Sequence, residues 1–410
     1  MKAQEALKAL LRGVDVCLQT VLPAKWFSTL FPCGGVYNTV KKKFVRRQSR
    51  ILIRSPLYDC PQQAPRYQVA YFNGCPDGGR SERYRVYDQV DFLTRQGILA
   101  DIYSYGTLKE LLAAPFYDLL VVFRANNGVE PQMKALLASY KERAIPIIYD
   151  VDDNLLERCT DEERKMVATT IQWCDAMTVS TSYLAEMYRK AFGKKCDVIP
   201  ITISNVQYEA AQSLREKRKL PRHRETVCIS YLSGSNSHDA DFREVSPALE
   251  RILSRHPEVR LIVVGPLTLP RELEPYSKQI VRKDYMPPLD LLALTAEMDI
   301  NLAPLTLDSF NQGKGETKIT EAALVEVVTV ASPIQSYREL IHHGVNGFIA
   351  STSQEWGEIL EQLVVDGALR QKTGQKAYED FVPSHYLETV GQRLIVLHQK
   401  LQRNELREER

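Results

Sequence analysis

A repeated alternation of short apolar runs with helical stretches restricts the fold of this chain more than any other feature. Helical stretches separate most of the runs, beginning with residues 81–96. Repeated strand, loop and helix units predict a parallel, doubly wound sheet whose ligands lie at the carboxyl ends of the strands. The first series of predicted strands is Gln68–Phe72, Asp101–Tyr105, Leu119–Phe123, Ile145–Tyr149, Ala176–Val179 and Asp197–Ile199.

A second series of the same kind follows, with helical stretches at residues 242–256, 289–297 and 318–325. Its predicted strands are Val227–Leu232, Arg260–Val264, Gln279–Arg282, Ile300–Ala303 and Val327–Ala331.

Two such series fit the length of the chain, because 410 residues exceed the roughly 250 at which a single core stops growing. We therefore predict an α/β protein with two doubly wound, Rossmann-like domains. The predicted domains are residues 67–205 and 227–384, with a charged, exposed linker at 206–226 and a helix at 385–410.

Residues 1–66 are predicted to be a basic helical extension, because they hold twelve Lys or Arg residues and only three acidic ones. Residues 1–50 would contact an anionic membrane surface. This segment combines an apolar helical stripe with the aromatic residues Trp26 and Phe27 and the basic run Lys41–Lys43. The alternative is an extension that docks on its own protein or on a partner. The remaining residues have a net charge of −7, which argues against a nucleic-acid partner.

The eight cysteines are scattered, with no paired spacing typical of a zinc site. They indicate reduced thiols and a cytoplasmic protein. We expect no apolar leader and no membrane-spanning segment, since no run reaches about 18 apolar residues. We therefore predict a cytoplasmic protein, peripheral at the inner face of the membrane.

The first candidate ligand loop is Gly78-Gly79, which follows a predicted strand and precedes Arg80, Arg83 and Arg85. Glycines let the backbone approach a phosphate closely, and the arginines would pair with it. A plain tight turn with solvated arginines is the alternative.

The second candidate is a carboxylate cluster, Asp150, Asp152 and Asp153, at the end of another predicted strand. Such a cluster suits Mg²⁺ or a substrate hydroxyl. It equally suits the start of a helix, with Asp153 or Asn154 as N-cap.

The third candidate lies within residues 310–350, where a loop containing glycine and lysine leads into a helix and a buried strand. Lys318 and Glu321 share one face of that helix. A helix N-terminus with Lys314 and Lys318 beside it suits a phosphate or diphosphate. The alternative is a solvated helix start with an intrahelical Lys–Glu pair.

Residues 67–400 resemble the GT-B glycosyltransferases, specifically the retaining glycosyltransferase family 4. The resemblance is strongest in EAALVEVVTVAS (Glu321–Ser332), followed by Glu339 and GVNGF (Gly344–Phe348). Gly78-Gly79 matches the glycine-rich loop of that family near the donor phosphate. Asp152 falls where many members carry an active-site histidine.

Two departures from the family pattern concern the sugar and the diphosphate. The family places an acid eight residues before the position of Glu321, and here that residue is Gly313, with Glu316 the nearest acid. The loop that supplies a basic pair in many members offers His238 and Asp239. Lys318 matches a branch with lysine three residues before the acid.

The resemblance implies a glycosyltransferase that moves a sugar from a nucleotide-sugar to a glycan or lipid-linked glycan, with retention, in surface polysaccharide biosynthesis. It implies no obligatory metal or cofactor. The alternatives are a sugar-nucleotide epimerase of the same fold and an inactive binding or scaffold subunit. The implied catalytic residues are Lys318, Asp152 and Asp153, and the implied substrate-binding residues are Glu321, Lys314, Gly78, Gly79, Arg83, His238, Glu316 and Glu339.

Overall fold

A computed structural model describes residues 54, 65–75, 80–126, 128, 130–219, 226–233 and 238–403. The basic extension predicted for residues 1–66 lies outside this part of the chain except for residues 54, 65 and 66, as do Gly78 and Gly79. The chain divides into two compact units, residues 1–147 and 148–410.

The first sheet has six strands in the order β2-β1-β3-β4-β5-β6. Every strand pair whose register is given runs parallel, for example with Gln68 opposite Leu99. The order reverses between β1 and β3, so their carboxyl ends flank a topological switch point. The strands are β1 (Gln68–Asn73), β2 (Leu99–Ser104), β3 (Leu119–Phe123), β4 (Ile147–Val151), β5 (Ala176–Val179) and β6 (Cys196–Val198).

Helices alternate with these strands, and a π-helical segment at Arg83–Tyr87 interrupts the first of them. The helices are α1 (Arg80–Glu82), α2 (Asp88–Arg95), α3 (Leu108–Ala113), α4 (Pro131–Glu142), α5 (Leu155–Arg158), α6 (Asp161–Trp173) and α7 (Ser182–Phe192), with a 3₁₀ turn at Tyr105–Thr107.

The second sheet also has six strands, in the order β12-β11-β10-β7-β8-β9. All of its pairs are parallel, and the order reverses between β7 and β10. This is the strand order of a Rossmann fold, in which ligands bind where the order reverses. The strands are β7 (Val227–Leu232), β8 (Val259–Val264), β9 (Ile280–Lys283), β10 (Ile300–Ala303), β11 (Val328–Ala331) and β12 (Phe348–Ile349).

The core of the second sheet lies where apolar side chains of its strands pack against the covering helices. Val263, Leu302 and Val330 are buried completely, and Trp356 packs into the same cluster. The helices are α8 (Asn205–Lys219), α9 (Asp239–Arg243), α10 (Ser246–Arg255), α11 (Pro288–Ala296), α12 (Ser309–Gln312), α13 (Thr317–Leu324), α14 (Gln335–Leu340), α15 (Ser353–Val365), α16 (Gly367–His385) and α17 (Leu387–Gln402), with a 3₁₀ segment at Arg271–Gln279.

The prediction of an α/β protein with two doubly wound sheets is confirmed. Four strands, at Leu119–Phe123, Ala176–Val179, Val227–Leu232 and Ile300–Ala303, have the predicted bounds. The exact domain limits remain a prediction.

The prediction of an exposed linker at 206–226 is wrong for most of its length, because α8 fills residues 205–219. Ala211 is buried, and the Arg218 guanidinium donates to the carbonyls of Ala296 (2.9 Å) and Met298 (2.6 Å). Arg215 lies 3.8 Å from the centre of the Tyr378 ring. Residues 205–219 are therefore a helix, and Arg215 and Arg218 dock on neighbouring elements through their long side chains.

Candidate active site at the switch point of the second sheet

Lys318 stands in the first turn of α13, where free N–H groups and the helix dipole favour an anion. Its ammonium donates to the carbonyl of Leu232 at the end of β7 (3.1 Å) and lies 4.7 Å from the centre of the Tyr231 ring. The charge is therefore held beside the carboxyl end of β7, at the predicted ligand position of this sheet.

Lys314 is held by a different strand end. Its Nζ lies 2.9 Å from Oδ1 of Asp153, which follows β4, and 4.3 Å from the centre of the Phe310 ring. The side chains of Lys314 and Asp153 are 25% and 17% exposed, so solvent screens the pair only in part. The structure thus brings together residues from two of the predicted ligand loops.

Glu321 lies one turn beyond Lys318 on α13, partly buried. Its Oε1 accepts a hydrogen bond from Nε2 of Gln207, on α8 (3.0 Å). No sequence pattern for a ligand site marks Gln207, because this residue lies in the stretch predicted to be a linker. The pattern Ser204-Asn205-Val206-Gln207 is nevertheless typical of a capping box, which indicates the start of a helix.

Gly313, at the position where the family pattern has an acid, is packed too closely for a side chain. A Cβ there would lie 2.9 Å from Cδ2 of Leu184 and 3.3 Å from Cβ of Asn154. Leu184 is buried completely and cannot yield without disturbing its own packing. Nδ2 of Asn154 also donates to the carbonyl of Ser309 (3.3 Å), which fixes the loop against its neighbours.

Glu316, the nearest acid, lies in the N-cap position of α13, where its carbonyl accepts from the N–H of Thr320 (2.9 Å). Its side chain is only 6% exposed. Burial, together with the Glu316 charge, raises the pKa of Tyr337. The carboxylate is therefore directed into the packed interior beside α14.

Glu339 is exposed, and its Oε1 accepts from Ser182 Oγ (2.5 Å) and from Gln335 Nε2 (2.9 Å). Ser182 is the first residue of α7. This glutamate therefore links α14 to the start of α7 in the second unit.

His238 is fixed by Asp241, a residue that the sequence analysis missed. The ring Nδ1 lies 2.8 Å from Oδ2 of Asp241. Oδ1 of Asp241 accepts from the N–H of Thr306 and from Nδ2 of Asn311, both at 2.9 Å. Burial raises the pKa of Asp241, but the hydrogen bonds from His238 and Thr306 outweigh that effect, so the pKa is lowered overall. An ionised Asp241 ties the residues after β7 to those after β10.

The three carboxylates at the end of β4 have different surroundings. Oδ2 of Asp150 accepts from Thr178 Oγ1 (2.5 Å), and Asp152 is 4% exposed. Asn154 is the N-cap residue of α5, but its side chain makes no capping hydrogen bond there. Within the described ranges, no group of three or more His, Cys, Asp or Glu side chains is placed to hold a metal.

In the first unit, Arg83 opens the π-helical segment, with its guanidinium 5.4 Å from the centre of the Tyr84 ring. Arg85 is buried completely, so the alternative of solvated arginines is wrong for this residue. The carboxylate of Glu82 accepts from Nδ2 of Asn73 (2.7 Å) at the end of β1, and burial raises its pKa to about 7.

A cavity of about 340 Å³ opens at the carboxyl ends of β8 and β9. Gly265 is in the left-handed conformation with φ +85°, and a Cβ would collide with the carbonyl oxygen of Ser233. The cavity is lined by Gly265, Pro266, Arg282, Lys283, Asp284 and Tyr285.

Several solved structures have a fold similar to that of this chain. HepE of Anabaena, solved with UDP-glucose, is 16% identical, with a TM-score of 0.61 over 82% of this chain and 100% of that chain. Sucrose-phosphate synthase from Thermosynechococcus elongatus is 11% identical, with a TM-score of 0.58 over 82% and 99%. The UDP-forming α,α-trehalose-phosphate synthase from Burkholderia xenovorans is 11% identical, with a TM-score of 0.56 over 82% and 99%. No curated protein matches the sequence significantly.

These likenesses establish the fold, which is that of the GT-B proteins. Residues 229–366, which include Lys314, Lys318 and Glu321, match the family described as glycosyl transferases group 1. This segment is a group 1 glycosyltransferase domain, and the protein is a glycosyltransferase.

Proposed function

We propose that this glycosyltransferase takes its sugar from a nucleotide-sugar, with UDP as the preferred nucleotide. The observation that carries the proposal is the position of Lys318 in the first turn of α13, beside the end of β7, with Glu321 one turn further along the helix. A diphosphate bound there meets the helix N-terminus and the Lys318 ammonium, while Glu321 accepts hydrogen bonds from ribose hydroxyls. HepE supports the choice of nucleotide, since it was solved with UDP and with UDP-glucose.

Lys318 and Lys314 would act during departure of the diphosphate. Negative charge grows on the leaving group as the glycosidic bond breaks, and fixed positive charges stabilise that charge more than the ground state. One such contact typically lowers a barrier by about 3 kcal/mol. Lys314 would reach the diphosphate from its position beside Asp153, where Phe310 covers one side of the ammonium.

The proposed acceptor is a glycan or lipid-linked glycan used in surface polysaccharide biosynthesis, and the sugar is transferred with retention. Family resemblance and the basic composition of residues 1–66 support this acceptor. The acceptor would lie near Asp152 and Asp153. The protein would work at the cytoplasmic face of a membrane, held through residues 1–50.

No helix in the described part of the chain is long and apolar enough to cross a bilayer. Membrane attachment would therefore be tested on the full chain with liposomes containing anionic lipid, against a variant that lacks residues 1–60. Equal co-sedimentation of the two proteins would contradict attachment through this segment.

The donor is tested by thermal shift with UDP-, GDP-, dTDP- and ADP-sugars. A donor at about 100 times its Kd stabilises the protein by roughly 2.7 kcal/mol. The Lys318→Ala variant should lose the shift, whereas Lys372→Ala, at an exposed lysine of α16, should keep it.

Absence of a shift with all four sugars would favour the scaffold alternative. Conversion of a sugar-nucleotide without any acceptor would favour the epimerase.

A further inference from the structure

The start of α8 contains a hydrogen-bond arrangement that reaches beyond its own helix. The N–H of Gln207 donates to Ser204 Oγ (3.3 Å), and the N–H of Ser204 donates to Oε1 of Gln207 (3.2 Å). These reciprocal bonds form a capping box. Gln207 is 1% exposed.

The capping box fixes which way the Gln207 amide points. A backbone N–H can only donate, so the amide oxygen must face Ser204. The amide nitrogen then faces Glu321, and Nε2 lies 3.0 Å from its Oε1. These hydrogen bonds therefore decide which end of the Gln207 amide carries the oxygen and which carries the nitrogen.

Gln207 is a neutral and buried donor to Glu321. Unlike an arginine or a lysine, its amide holds one carboxylate oxygen without adding a positive charge of its own. A side chain that is held in advance also loses less conformational freedom when a ligand binds.

We propose that Gln207 is a positioning residue for the donor site, acting through Glu321. This inference rests on the proposed function, since it takes Glu321 as the acceptor of hydrogen bonds from the ribose of the nucleotide-sugar. Gln207 thus has two tasks, starting α8 and orienting the carboxylate of α13. The site would select a ligand whose hydroxyl groups can donate hydrogen bonds to the fixed carboxylate of Glu321.

Gln207→Glu separates the two tasks. Glutamate is also accepted at this position of a capping box, so α8 should keep its start. A glutamate carboxylate cannot donate to Glu321, and its charge would repel that of Glu321. If Gln207 only caps the helix, Gln207→Glu leaves donor affinity unchanged. If it positions Glu321, this variant weakens the donor.

The experiment measures the Kd of UDP-glucose and UDP by calorimetry on the full chain, with the melting temperature recorded for each variant. We expect Gln207→Glu and Gln207→Leu to raise the Kd about tenfold, the size of one hydrogen bond to a charged group. Gln212→Leu, at an exposed glutamine of the same helix, should bind like the unaltered protein.

A double-mutant cycle shows whether the effect passes through Glu321. In a Glu321→Ala background, Gln207→Leu should raise the Kd by less than twofold. An equal loss in both backgrounds, or unchanged affinity in Gln207→Glu, would overturn this inference alone. If the unaltered protein binds no sugar-nucleotide, the proposed function fails, and this inference fails with it.

Discussion

Nζ of Lys314 lies 2.9 Å from Oδ1 of Asp153, and this ion pair joins the loop before α13 to the residues that follow β4. Both side chains are mostly shielded from solvent, so the pair should contribute more than an exposed one.

A double-mutant cycle with Asp153→Asn and Lys314→Met should therefore give a coupling free energy of about 1 kcal/mol in urea unfolding. The exposed pair Arg95 and Asp91, 3.0 Å apart, is the reference and should give less. High salt should reduce the second coupling more than the first. Additive single-variant effects at Lys314 and Asp153 would show that the pair contributes nothing.

Gly313→Glu restores the acid of the family pattern but should harm the protein. The new side chain must displace Leu184 or Asn154, and overpacking of this kind costs about 1–3 kcal/mol. We expect a lower melting temperature and no gain in sugar transfer. Gly367→Glu, at an exposed position that starts α16, is the control and should be tolerated. A stable and more active Gly313→Glu protein would contradict the packing argument.

Lys318→Ala should lower kcat/KM for the sugar donor by about 10²-fold, the usual effect of losing one fixed group that stabilises a leaving charge. Lys318→Arg should recover part of the rate, because the charge remains but the guanidinium is larger and planar. Initial rates with saturating acceptor check this. Unchanged kinetics in Lys318→Ala would remove this residue from the mechanism.

Glu82 should make the protein less stable as pH rises toward neutrality. Its pKa is raised by burial to about 7, so the folded state binds more protons than the unfolded chain between about pH 4.5 and 7. The stability gained from protonation is complete below that window and is lost as pH rises through 7. Glu82→Gln should flatten the pH dependence of the unfolding free energy over this window.

The control for that measurement is Glu110→Gln, at an exposed glutamate of α3. It should leave the pH profile as it is. The same slope in Glu82→Gln as in the unaltered protein would show that another group titrates there.

Arg218→Ala should destabilise the second unit by about 1–3 kcal/mol, because it leaves the carbonyls of Ala296 and Met298 without this donor. Lys217→Ala, at the exposed neighbouring position, should be close to neutral. Equal melting temperatures for the two variants would contradict the docking of α8 through its arginines.

The fold could be predicted from the sequence because buried parallel strands are continuous apolar runs. Leu119–Phe123, with the sequence LLVVF, is an example, since all five residues are apolar and buried and the predicted bounds match the strand. The helix at α8 could not be recognised in this way, since only Gln207 and Ala211 of its described residues are buried, while Tyr208 and Leu214 are buried in part.

The candidate site was predictable only in part. Lys318 and Glu321 lie on a helix that the sequence pattern predicts directly. Lys314 and Asp153 are 161 positions apart in the sequence, so no local sequence pattern could indicate that they form an ion pair. The sequence does not indicate the role of Asp241 either, because its partners Thr306 and Asn311 are distant from it in sequence.

The capping box at Ser204 and Gln207 has a practical consequence for protein engineering. One application is a chimera that joins the amino-terminal part of one such enzyme to the carboxy-terminal part of another. In this chain, a junction within residues 206–226 would give Glu321 a foreign hydrogen-bond partner. A junction before residue 204 would keep Ser204, Gln207 and Glu321 together as one inherited block.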